Sequence, residues 1–168
     1  NSSLKIDHYY GSDTNVVIPE TLDWTGTDGV TNNYPITKTS EYGFMGCWNV
    51  TSMTIFSNIT EIGMNAFSSC YALENVDFSK ADKLEKIGGG AFGYCDKLAE
   101  IHLEYAKNLK IIDEAAFYNN GIEKVFLPDG VETIGKNALK RKDGQKTYVY
   151  GRTGSTAEEY CKNENAEL

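Results

Sequence analysis

A repeat period decides what this chain can fold into, because a recurring motif must pack against its own copies whatever the local propensities. The segment Ile59-Thr60-Glu61-Ile62-Gly63 runs on to Ala66-Phe67, Cys70, Leu73, Val76 and Phe78. The same order returns as Leu84-Glu85-Lys86-Ile87-Gly88, then Ala91-Phe92, Cys95, Leu98, Ile101 and Leu103. A third copy holds Leu109, Ile112, Ala116-Phe117, Asn120, Ile122, Val125 and Leu127. A partial copy reads Val131-Glu132-Thr133-Ile134-Gly135 before Ala138-Leu139, and upstream Ile36, Phe44, Cys47, Val50, Met53 and Ile55 keep the spacing more loosely. The aromatic anchors Phe44, Phe67, Phe92 and Phe117 stand 23, 25 and 25 residues apart. Several columns agree at once, which coincidence explains poorly.

That period lies within the roughly 20–29 residues of a leucine-rich repeat. In Leu73-x-x-Val76-x-Phe78 the apolar residues point inward and Glu74, Asn75 and Asp77 outward, the last three positions alternating as a strand does. Gly63, Gly88 and Gly135 share a column where we expect a turn that a side chain would hinder. The Ala-Phe pair puts a large ring into the core beside a small residue that makes room for it. One coil cannot bury these residues alone, but coils stacked about 4.8 Å apart continue each column into the next. The expected fold is an α/β leucine-rich-repeat solenoid. It has a short parallel sheet along one face, short strands, turns and short helical segments on the others, and a C-terminal helical cap.

The order xIGxxAFxxCxxLxxIxL resembles the repeat of BspA-like leucine-rich-repeat bacterial surface proteins. Ile62-Gly63, Ala66-Phe67, Cys70 and Leu73 carry the resemblance, as do Ile87-Gly88, Ala91-Phe92, Cys95 and Leu98. It is strong from Ile59 to Leu139 and weaker upstream to Ile36. Leu4 to Gly11 with Asn15-Val16-Val17-Ile18-Pro19 resembles an irregular first coil, and Tyr148 to Tyr160 a final turn of that family. Read physically, Ser155 with Glu158 three residues on forms a capping box opening a short helix. That helix would lay Ala157, Tyr160 and Cys161 over the open end of the core. Departures are Asn120 in the cysteine column, one residue fewer between Phe117 and Ile122, and Leu139 in the phenylalanine column. Asp23 to Gly29, rich in turn residues, reads as a loop excursion from the first coil. The expected organisation is a single leucine-rich-repeat domain over 1–168. Residues 1–33 form an irregular first coil with a loop insertion, 34–146 about five repeats of 22–25 residues, and 147–168 a cap.

The formal charge of -8 and pI near 4.8 argue against a phosphate backbone or an anionic membrane as partner. The densest basic run, Lys140-Arg141-Lys142, is followed directly by Asp143. No apolar run is long enough to cross a membrane, so no membrane insertion is expected within this chain. The opening Asn1-Ser2-Ser3 has neither an initiator Met nor a signal peptide and reads as a processed chain or fragment.

Chemistry-bearing residues are sparse. Cys47, Cys70 and Cys95 fall in one column and Cys161 in the cap, without the paired C-x-x-C spacing of a zinc site. Parallel neighbours also make poor disulfide geometry, so a ladder of free thiols acting as small hydrophobes is expected. Gly88-Gly89-Gly90 lacks the lysine and the strand-then-helix context of a phosphate loop. His8 and His102 have no companion that completes a metal or nucleophile constellation, and abundant carboxylates alone mark no hydrolase. We therefore expect no cofactor, no metal and no enzymatic activity. Asn1, Asn49 and Asn58 sit in glycosylation triplets that would matter only in a eukaryotic source.

The candidate site is a surface. Outward strand positions form one row of Thr54, Asp77, His102 and Phe126, with Tyr148 continuing it, and a second of Ser52, Asn75, Glu100 and Lys124. Phe126 is read as an exposed aromatic in an otherwise polar column, and Trp48 and Tyr71 share the column just before the strand. Exposed aromatics beside polar groups suit binding hot spots. The family resemblance implies an extracellular or cell-surface module that binds a host or bacterial protein or glycan through this face. The other reading is a structural spacer or stalk in a larger surface protein, with no ligand of its own.

Overall fold

A computed structural model describes residues 3–168. The first of the Asn-X-Ser/Thr triplets, at Asn1, therefore falls outside the described residues. The first coil holds β1 (Leu4–Ile6), β2 (Asn15–Val17), β3 (Thr21–Thr25) and β4 (Thr31–Thr39). Each later coil then contributes a three-residue strand and a two-residue strand. These are β5 (Ser52–Thr54) with β6 (Glu61–Ile62), and β7 (Asn75–Asp77) with β8 (Lys86–Ile87). Next come β9 (Glu100–His102) with β10 (Ile111–Ile112), and β11 (Lys124–Phe126) with β12 (Thr133–Ile134). The chain ends with β13 (Thr147–Tyr150), the helix α1 (Thr156–Asn163) and β14 (Ala166–Glu167).

The fold is the anticipated parallel solenoid with a helical C-terminal cap, and it carries strands on two faces. The two-residue strands continue β1 and β4 into one ladder, β1-β4-β6-β8-β10-β12. The three-residue strands form β2-β5-β7 and, separately, β9-β11-β13-β14. Strands this short have no stability of their own, so their pairing is a consequence of the core beneath them.

That core is built from columns. Phe44, Phe67, Phe92 and Phe117 stack with ring centroids 4.9, 5.0 and 5.2 Å apart. Tyr9 of the first coil extends the stack onto Phe44 at 5.3 Å. The backbone follows the same ladder: Phe44 N–H donates to the Ala66 carbonyl, Phe67 to Ala91, Phe92 to Ala116 and Phe117 to Ala138, at 2.7–2.8 Å. Alanine beside each ring lets adjacent coils approach at this spacing. The Cys70 thiol donates to the Phe44 carbonyl at 3.2 Å and the Cys95 thiol to the Phe67 carbonyl at 3.4 Å. All four cysteines are free. Where Asn120 replaces cysteine, its amide donates within its own coil to the Phe117 carbonyl and its oxygen accepts from Ile122 N–H at 2.9 Å.

The glycine column has a different cause from the one expected. Gly63, Gly88 and Gly135 are not in the left-handed region. A Cβ on them would lie 2.7 Å from Ser40, 2.8 Å from Met64 and 2.3 Å from Glu114, all backbone atoms of the preceding coil. Glycine is needed there for close approach between coils. The left-handed turns fall elsewhere. One column precedes the Ala-Phe pair, with Asn65, Gly90, Ala115 and Asn137 at φ +52 to +64. The other precedes the cysteine column, with Gly46, Ser69, Tyr94 and Asn119 at φ +57 to +72. Gly88 and Gly90 are thereby accounted for by coil geometry.

Two features of the ends differ from expectation. The segment read as a loop from Asp23 onward is an antiparallel hairpin, β3 on β4, running from Thr21↔Pro35 to Thr25↔Thr31. Its turn closes on Gly29 at φ +77, with Asp28 Oδ1 accepting from Val30 N–H at 3.0 Å. At the other end Ser155 is the N-cap residue of α1, but its side chain makes no cap bond and donates instead to the Arg152 carbonyl. Glu158 reaches back to the Gly154 N–H, one residue before the position a capping box would use. The helix still buries Ala157 and Tyr160 against the last coil, with Cys161 half-buried beside them.

Candidate functional site

Parallel register places the outward side chains of the three-residue strands one above another. Asn15, Ser52 and Asn75 align, as do Val17, Thr54 and Asp77. Beyond them Glu100, Lys124 and Tyr148 align, and His102, Phe126 and Tyr150. This corrects the row assigned to Tyr148. Val149 pairs with Val125 and points inward at 2% exposure, so Tyr148 falls beside Lys124 and Tyr150 continues the line of Phe126. Tyr150 is the residue missed in sequence. Its signal was the alternation Tyr148-Val149-Tyr150, in which either tyrosine could have been matched to Phe126.

The second correction concerns Phe126 itself, which is half-buried rather than a lone exposed ring. His102 stacks on it with centroids 4.5 Å apart and planes 5° from parallel, and Tyr150 covers its other side at 4.4 Å and 16°. Strand spacing in a parallel ladder is close to the thickness of stacked rings, so three aromatics in one column stack without adjustment. Each such pair contributes about 0.5–1.5 kcal/mol beyond area burial. The rings are therefore held in place before any partner arrives.

Carboxylates orient the edge of the stack. Glu104, on a single 3-10 turn after β9, places Oε1 2.9 Å from His102 Nδ1, while Glu100 Oε2 lies 3.7 Å from Nε2. Glu100 also holds Lys124 Nζ at 2.6 Å. That hydrogen bond and charge keep the Glu100 carboxyl below its usual range and the Lys124 ammonium above its own. Both side chains reach solvent, Glu100 exposed and Lys124 half-buried, so the pair fixes side-chain direction more than it stabilises the fold. Asp77 accepts the Ser79 backbone N–H at 2.8 Å, which with the Ser79 hydroxyl holds its carboxyl below the ordinary range.

Trp48 and Tyr71 lie in the turns just before β5 and β7 and are 75% and 52% exposed, while Thr54 and Asp77 are half-buried. Ser52 donates to Asn15 at 2.8 Å across the β2–β5 pair. The structure thus gathers Glu100, His102, Lys124, Phe126 and Tyr148 into one polar-edged aromatic patch. Thr54, Asn75 and Asp77 belong to the neighbouring sheet, with Trp48 and Tyr71 on its flank.

Burial pushes the Cys70 thiol up to about 12 and the Cys95 thiol further, so both stay protonated and unreactive as nucleophiles. Among the described residues, no group of three or more His, Cys, Asp or Glu side chains is placed to hold a metal. Among the same residues, no helix is long and apolar enough to cross a membrane.

Comparison with known proteins follows the repeat. A family model for the BspA type leucine rich repeat region matches residues 14–160 in six copies. Among solved structures, a leucine-rich repeat protein from Bacteroides ovatus is 29% identical with a TM-score of 0.66, over 81% of this chain and 33% of its own. A leucine-rich repeat protein from Bacteroides capillosus is 24% identical with a TM-score of 0.54, over 84% of this chain and 79% of its own. A leucine rich cell surface protein from Faecalibacterium prausnitzii is 22% identical with a TM-score of 0.51, over 89% of this chain and 50% of its own. The chain thus spans a third of the Bacteroides ovatus protein, and the last two likenesses show the fold alone. No curated protein matches in sequence. Six matched copies covering most of the length, on a solenoid whose columns are the repeat columns, place this chain in the BspA type leucine-rich-repeat family.

Proposed function

We propose that this chain is an extracellular or cell-surface recognition module that binds a protein or glycan on a host or neighbouring cell through its three-residue-strand face. The observation that carries the reading is the His102–Phe126–Tyr150 stack, ordered by its own ring contacts and edged by Glu100, Lys124 and Tyr148. Rigid aromatics bind with little ordering cost, and a solenoid face presents them without a moving loop. The resemblance of its repeat to BspA-like bacterial surface proteins supports the location. The activity proposed is recognition without catalysis.

The test is a binding screen of the purified chain against extracellular-matrix proteins, mucin and a glycan array. A variant carrying Trp48→Ala, His102→Ala, Phe126→Ala and Tyr150→Ala, checked for intact folding, runs beside it. A saturable hit weakened by at least about thirtyfold in the variant is expected, the loss typical of hot-spot aromatics. A folded chain with no hit on any surface would favour the spacer reading instead.

A further inference from the structure

Among the described residues the ladder on the strand face is interrupted between β7 and β9. On either side of the interruption the coils are joined by matching backbone bonds: Glu74 N–H donates to the Thr51 carbonyl at 2.8 Å, and Glu123 N–H to the Ala99 carbonyl at 2.7 Å. The equivalent bond from Ala99 to Glu74 is absent among the described residues, and β7 and β9 belong to separate sheets. At the same level the opposite face stays closed, with Lys86↔Ile111 and Ile87↔Ile112 paired. The seam therefore opens on the strand face alone. A cleft of about 310 Å³ lies there, lined by Asn75, Asp77, Ser79, His102 and Tyr105. That volume is at the lower end of ligand-sized pockets.

The chemistry on the two sides is unequal. His102 gives one ring face to Phe126 and turns the row position on its other side toward the cleft, where the next member is Asp77. Asp77 accepts the Ser79 N–H on Oδ1 with the Ser79 hydroxyl also against its carboxyl, and it is half-buried at the cleft wall. No cation is paired with Asp77 among the described residues: Lys80, whose charge reaches its carboxyl, has Nζ over the Phe56 ring at 4.9 Å, and Lys124 is held by Glu100 at 2.6 Å. Tyr105, half exposed, stands at the rim.

We propose that this cleft receives the guanidinium of an arginine side chain from a protein partner, stacked on the open face of His102 and paired with Asp77. A guanidinium is planar, so it adds one more layer to a column of stacked rings, and its fork of N–H donors meets a carboxylate in two bonds at once. Lysine offers a compact hydrated ammonium that can meet Asp77 but has no plane to stack. A neutral sugar can donate hydroxyls to the carboxylate but gains no long-range attraction from the chain's net charge of -8, which draws a cation toward the surface. The proposal rests on the strand-face reading given above and names the partner chemistry for one part of that face.

The test titrates the whole chain with two short peptides identical except for one Arg or Lys, following the His102 and Tyr105 ring resonances by NMR. Asp77→Asn is the informative variant, because its side-chain oxygen still accepts the Ser79 N–H while the charge is gone. We expect a saturable shift with the Arg peptide, about tenfold weaker binding of the Lys peptide, and about tenfold loss in Asp77→Asn. Equal binding of the two peptides, unchanged binding by Asp77→Asn, or a monosaccharide moving these resonances while the Arg peptide leaves them still would each overturn the proposal. A partner from the face screen that is lost with Phe126→Ala and Tyr150→Ala but unaffected by Asp77→Asn would retain the face and reject the cleft. Arg-peptide binding without any partner in that screen would do the reverse.

Discussion

At Gly88 a Cβ would come within 2.8 Å of the Met64 backbone nitrogen, whereas Ala115 already carries its Cβ on a backbone at φ +56. The two positions lie one column apart in kind and respond to opposite substitutions. Gly88→Ala forces coils apart where backbone meets backbone, and should destabilise by about 1–3 kcal/mol, the usual cost of overpacking. Ala115→Asn relieves a left-handed strain that Asn tolerates, as Asn65 and Asn137 do in the same column, and should stabilise by up to about 1 kcal/mol. Denaturant unfolding of both variants checks the pair. If Gly88→Ala were neutral, the column would not be set by close approach. The glycines were legible in sequence as a column, but spacing alone cannot separate a turn from a tight contact. Only the neighbour's backbone decides between them.

Individual elements here are two to four residues long apart from β3, β4 and the terminal helix, so each is stable only because the next coil covers it. The last coil has no following coil, and α1 serves in its place. Tyr160 is the hinge of that substitution: its hydroxyl accepts the Leu139 N–H at 2.9 Å, while the equivalent position in earlier coils, Phe117 N–H, donates to the next coil's carbonyl at 2.7 Å. Tyr160→Phe keeps the ring and orphans a buried N–H, so a loss of about 1–3 kcal/mol is expected. A change below about 0.5 kcal/mol in urea unfolding would mean that water replaces the hydroxyl and that Tyr160 does not close the last coil. The cap helix was readable because Ala157, Tyr160 and Cys161 fall on one side of it. Its capping detail was not, since Glu158 can reach either Gly154 or Ser155 and only the turn geometry chooses. The hairpin was hidden for a related reason. Thr, Asn and Gly dominate 25–33, so the turn signal masked the two strands beside it.

For the molecule as a whole, the repeat columns were enough to anticipate a parallel solenoid with a C-terminal lid, because stacking is the one way to bury a recurrent Phe, Ala and Leu pattern. The face was legible only as alternation. That His102, Phe126 and Tyr150 form one stack depends on the register of β13, and that the ladder parts between β7 and β9 follows from no residue type in either strand. Recognition is proposed for the strand face and not for the opposite ladder with its Lys86–Asp113 and Lys110–Glu132 pairs. Hydrogen exchange of the chain, free and saturated with a partner recovered from the screen, tests this most directly. Added protection at 100–105, 124–126 and 147–150, with none at 61–62, 86–87 and 111–112, is the predicted result. Protection confined to the two-residue strands, or to the β3–β4 hairpin, would contradict it.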